Sequence, residues 1–121
     1  MNSNIVSEIN RLEFENYIWI LFIALSLINI YGDDVQKEYL LTNNTRLKAK
    51  SNRAFTLTVI SSLFIYMYFY NRNHEVYINA SAENKWMYSI KVLGSVLYII
   101  ATLILIWFQF NETNFIGAPA I

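Results

Sequence analysis

Three apolar runs, none broken by a proline, constrain this chain more than any other feature. They cover residues 17–31 (YIWILFIALSLINIY), 54–70 (AFTLTVISSLFIYMYFY) and 88–110 (YSIKVLGSVLYIIATLILIWFQF), and the single proline is Pro119, beyond all three. A backbone in hydrocarbon must satisfy its own N–H and C=O groups, which an unbroken helix does. The third run has 23 residues, about 35 Å of helix, enough to cross a core of about 30 Å with some tilt. The first has 15 residues, about 22 Å, and reaches 20 residues when the helix starts at Leu12. The second, with 17 residues, needs flanking polar turns to span. From residue 92 to 110 the chain is apolar nearly all round, without a charged face, and a water-facing helix would show a wider polar stripe. Continuous rather than alternating runs argue against a transmembrane β-barrel.

The expected fold is therefore all-α, an integral membrane three-helix bundle in one domain over residues 1–121. Its helices are expected at about 12–31, 54–70 and 88–110, with connectors at 32–53 and 71–87. Ile5, Ile9 and Leu12 fall at i, i+4 and i+7, the apolar face of a short N-terminal amphipathic helix at the interface. A soluble three-helix bundle is the other reading. The mean hydropathy of only +0.30 speaks for it, but two polar connectors dilute that average. The first run does not read as a signal peptide. Glu8, Glu13 and Glu15 precede it against one Arg11, and Gly32-Asp33-Asp34 follows in place of small residues.

Charged residues make up 15% of the chain, against roughly 25% in soluble domains. Nine basic residues balance nine acidic ones, so no excess of cation is available to neutralise nucleic-acid phosphates. The absence of cysteine removes disulfides, zinc fingers and thiol chemistry, and one histidine, His74, cannot build a multi-histidine metal site. The three glycines, Gly32, Gly94 and Gly117, are too far apart for a phosphate loop. Asp33-Asp34 reads as a helix cap, with Asp34 capping a segment from Val35. No catalytic, cofactor or metal site is read, and the chain is not expected to be an enzyme.

Lys37, Arg46, Lys48, Lys50 and Arg53 lie in the first connector; Arg11, Arg72, Lys85 and Lys91 belong to the opposite side. The positive-inside rule then places the N-terminus outside and the C-terminus inside. This topology gathers Glu13 and Glu15 with Arg72, His74 and Lys91 on one rim, and Asp33 and Asp34 with Lys50 and Arg53 on the other. Rim ion pairs are expected among Glu13, Glu15, Arg72, Asp33 and Arg53. Tyr17, Trp19, Tyr66, Tyr68, Tyr70, Tyr88 and Trp107 lie near run ends, as an interfacial aromatic belt requires.

Along the third run Lys91, Ser95, Tyr98, Thr102 and Gln109 recur on one helix face. Polar side chains avoid lipid, so this seam should face other helices or water. Ser26 and Asn29 on the first helix, with Thr58 and Ser62 on the second, offer matching polar positions. Two readings follow: hydrogen bonds between helices, or a narrow polar path through an oligomer with Lys91 near one mouth. Lys91 itself suits snorkelling to the interface or pairing with Glu13 or Glu15. His74 suits a solvated rim.

The segments YMYFYNRN (66–73) and KVLGSVLYIIATLILIWFQ (91–109) resemble small multi-pass membrane proteins of low-GC Gram-positive bacteria. The resemblance covers about two thirds of the chain and brings no activity or functional residues. The 14 Asn and 17 Ile residues agree with AT-rich coding, which makes the Asn-x-Ser/Thr matches at Asn43, Asn79 and Asn111 chance occurrences. The expected partners are the lipid bilayer and either a membrane protein or further copies of the chain. The expected role is an accessory, regulatory or immunity-type subunit; the alternative is a homo-oligomeric pore or transporter.

Overall fold

Apolar runs flanked by good helix formers extend well past the hydrophobic stretches themselves. A computed structural model describes residues 3–119 as three α-helices, α1 (Ser3–Thr42), α2 (Thr45–Ile78) and α3 (Lys85–Asn111), with no strand among the described residues. Each is long and apolar enough to cross a membrane. The amphipathic stretch at Ile5, Ile9 and Leu12 is helical, as the opening turns of α1 rather than as a separate helix. The expected connectors shrink to two turns. Residues 32–53 are helical except for Asn43 and Asn44, and residues 71–78 continue α2. Polar residues there are helix rather than loop. For the same reason Asp34 caps nothing: it lies inside α1 and pairs with Lys37 at 3.4 Å.

The break at Asn43-Asn44 has a local cause. Asn43 adopts φ 55°, a left-handed conformation that Asn tolerates, and its N–H donates to the Tyr39 carbonyl at 2.7 Å. Asn44 then caps α2, its side-chain oxygen accepting from the Arg46 N–H at 3.1 Å. At the far end of α2 the Asn79 N–H donates to the Glu75 carbonyl. After α3 the tail folds back along the bundle, with Phe108 and Phe115 edge to face at 5.4 Å.

Helix α2 is the central element. It packs against α1 on one side and α3 on the other, and α1 and α3 do not pack against each other. The three polar faces therefore do not meet on a common axis. Small side chains let α2 approach its neighbours: Ser51, Thr58, Ser62 and Val59 are buried, and the buried Phe55 ring sits against Gly32 of α1. Ile18 and Leu25 of α1 pack with Ile65 of α2, beside Phe22, Ile28, Tyr68 and Phe69. Most large apolar side chains point outward instead, among them Ile20, Ile23, Leu27, Phe64, Leu97, Ile104 and Trp107.

Charge-free stretches align across the bundle. They cover residues 16–32, 54–71 and 92–111, or 17, 18 and 20 residues. At ~1.5 Å per residue these are about 26, 27 and 30 Å, close to the thickness of a hydrocarbon core. Glu15, Arg72 and Lys91 bound them at one end and Asp33, Arg53 and Glu112 at the other.

Candidate functional site: a polar junction and the groove beside it

At the Glu15 end, one connected set of polar side chains ties all three helices together. The Glu15 side chain is only 6% exposed. Arg72 of α2 donates from Nη1 to Glu15 Oε1 at 2.8 Å, and the Tyr68 hydroxyl donates to Oε2 at 3.1 Å. Arg11 adds a second cation 3.6 Å from Oε2 and pairs with Glu8 at 2.9 Å. A carboxylate removed from water needs this compensation, because an unpaired buried charge is strongly destabilising. Arg72 also donates from Nε and Nη2 to Asn73 Oδ1 at 3.1 and 2.8 Å. Its guanidinium lies over the Phe69 ring, 4.8 Å from the centroid. Asn73 Nδ2 donates to Ser95 Oγ at 2.6 Å, and Ser95 Oγ donates to the Lys91 carbonyl at 3.1 Å. Charge and hydrogen bonding thus run from α1 through α2 to α3.

Beside the junction lies a groove of about 550 Å³, with α2 as floor and α1 and α3 as walls. Rings cross it almost continuously: Trp19 stacks on Phe69 at 5.3 Å, Phe22 lies 6.0 Å from Tyr66, and Tyr66 stacks on Tyr98 at 4.9 Å. Arg72, Asn73, Lys91 and Ser95 make its polar end. Gly94 lines it too, and a Cβ added there would meet no atom within 4 Å.

The seam on α3 faces α2. Ser95 and Thr102 are buried, and Gln109 reaches the Asn52 carbonyl at 3.5 Å. Thr102 Oγ1 donates to the Tyr98 carbonyl of its own helix at 2.7 Å. Tyr98 is exposed beyond its stack on Tyr66, and Lys91 is exposed at the groove. Of the other polar positions, Thr58 Oγ1 donates to Asn29 Oδ1 at 2.8 Å and joins α1 to α2. Ser62 is buried but donates to the Val59 carbonyl of its own helix. Ser26 is a correction: it is exposed and donates to the Phe22 carbonyl, so it joins no helices.

Among the rim residues, Glu15 and Arg72 pair as the antiparallel arrangement requires. Glu13, Asp33 and Arg53 are exposed and form no ion pair among the described residues, because the helical period turns them away from the neighbouring helix. Lys91 pairs with neither Glu13 nor Glu15. His74 stacks on Tyr70 at 5.7 Å and lies tilted against Tyr77 at 6.4 Å, both on α2.

The opposite end is held by close packing and by the tail. An added Cβ at Gly32 would collide with the Phe55 ring, with Cζ at 2.9 Å. Gln36 is 2% exposed and its Oε1 accepts from the Gly117 N–H at 2.8 Å. Lys48 donates to Asn114 Oδ1 at 2.5 Å.

Sequence reasoning missed Tyr68, Asn73 and Gln36. Tyr68 reads as part of an aromatic belt, whereas helical spacing from Arg72 puts it on the same face. Asn73 is one of many asparagines and had no distinguishing signal. Among the described residues, no group of three or more His, Asp or Glu side chains stands together to hold a metal ion. No family model, curated protein or solved structure matches this chain.

Proposed function

We propose that the chain is a multi-pass membrane protein with three spans. It works through a protein partner as an accessory, regulatory or immunity-type subunit. Outward-facing apolar side chains over about 30 Å, bounded by aligned charges, support the bilayer as its solvent. The positive-inside rule supports an N-terminus outside and a C-terminus inside.

One observation carries the partner. The first 13 described residues of α1 stand beyond the charge-free stretch, about 20 Å of helix, with Ile5, Val6, Ile9 and Leu12 exposed. That apolar face lies outside the hydrocarbon and calls for cover. The pore alternative draws less support, since the Ser95 hydroxyl is taken up by Asn73 of α2 and Thr102 is buried with its hydroxyl on the Tyr98 carbonyl.

The experiment is extraction of the tagged protein from its host membrane in mild detergent, with native mass measured and every band identified. A stoichiometric second membrane protein, released by Ile9→Asp, is the expected result. A discrete multiple of 14.2 kDa with nothing else bound would overturn the partner reading and favour self-association.

A further inference from the structure

We propose that the groove between α1 and α3 binds an anionic phospholipid, with its phosphate at Lys91 and Arg72 and an acyl chain along the aromatic floor. The inference rests on the membrane placement above and goes beyond it. Three independent features carry it.

The first is charge. Lys91 and Arg72 line the groove, Arg72 being already paired with the buried Glu15, and no acidic side chain lines it. The Lys91 ammonium takes part in no hydrogen bond, ion pair or ring contact among the described residues. Of the five guanidinium N–H groups of Arg72, three donate to Glu15 and Asn73, which leaves two without a protein acceptor. The neighbouring polar cavity offers no such asymmetry, since Glu8 and Glu75 line it together with Arg11 and Arg72.

The second is depth. Lys91 and Arg72 are the residues that end the charge-free stretches of α3 and α2. They therefore stand at the level of lipid phosphates, where basic pockets between membrane helices recognise headgroups. The third is shape. Below the two cations the groove is walled by Trp19, Phe22, Tyr66 and Tyr98, and the absent side chain of Gly94 keeps it open.

The test uses Trp19 as a reporter. With Trp86 and Trp107, both exposed, changed to Phe, Trp19 is the only tryptophan and lies in the groove. The full chain is reconstituted in mixtures of phosphatidylglycerol and phosphatidylcholine, one or the other brominated in its acyl chains. Brominated phosphatidylglycerol should quench Trp19 more than brominated phosphatidylcholine at equal content. Lys91→Gln should weaken that preference by about fivefold. Gly94→Leu should abolish it while leaving helix content unchanged, because its side chain enters open space. Glycerol phosphate in the aqueous phase should not compete. Equal quenching by the two lipids overturns the proposal alone. So does an unchanged preference in Gly94→Leu, or competition by glycerol phosphate. No quenching by either lipid overturns the membrane placement, and the site with it.

Discussion

Arg72 holds Glu15 across the α1–α2 interface at 2.8 Å, with the arginine side chain 20% exposed and the glutamate 6%. Arg72→Ala leaves the carboxylate with Tyr68 and a more distant Arg11. The expected loss is about 3 kcal/mol, the lower end for breaking a buried ion pair. Glu15→Gln with Arg72→Gln removes both charges and should cost less than Arg72→Ala alone. Unfolding in mixed micelles by SDS titration, followed by circular dichroism, measures both.

Two helical glycines should respond in opposite ways. Gly32→Ala drives a methyl into the Phe55 ring and should cost about 1–3 kcal/mol. Phe55→Leu on that background should restore part of the loss. Gly94→Ala meets nothing within 4 Å and should not destabilise. The same SDS titration separates the two sites.

Interhelical hydrogen bonds can be told from local ones. The Thr58 hydroxyl shares its one proton between Asn29 Oδ1 at 2.8 Å and the Phe55 carbonyl of its own helix at 2.9 Å, so Thr58→Val removes both bonds and should cost at least about 0.6 kcal/mol, the average for bonds between membrane helices. Ser62→Ala removes only a bond within α2 and should cost less. Pairing Thr58→Val with Asn29→Ala in a double-mutant cycle should recover a coupling of similar size.

The C-terminal tail depends on one buried amide. Gln36→Leu deletes the acceptor of the Gly117 N–H and should release residues 112–119. Hydrogen exchange across that segment should rise severalfold while the helices keep their protection. Unchanged exchange would place the anchoring in Lys48–Asn114 and Phe108–Phe115 instead.

The parts of the fold set by hydrophobicity were legible in the sequence. Residues 17–31, 54–70 and 88–110 all lie within helices, and the antiparallel order correctly brought Glu15 to Arg72. Hydropathy marks only the stretch that oil accepts, so it is blind to where a helix continues into water. Gly32-Asp33-Asp34 read as a boundary for that reason, yet α1 continues ten residues past Gly32. Helical rotation decided the remaining rim residues. Asp33 and Arg53 share a level but not a face. Gln36 and Gly117 meet only because the tail folds back, and no local pattern near residue 117 encodes that return.

The two-residue turn at Asn43-Asn44 has a consequence for the order of assembly. It makes α1 and α2 a hairpin whose shared interface, from Glu15–Arg72 to Gly32–Phe55, is complete within the first 78 residues. Helix α3 contributes nothing to that interface and adds to the free side of α2. The hairpin can therefore form as a unit with Glu15 already neutralised. Asn73 is presented last, as the docking point to which Ser95 brings the third helix.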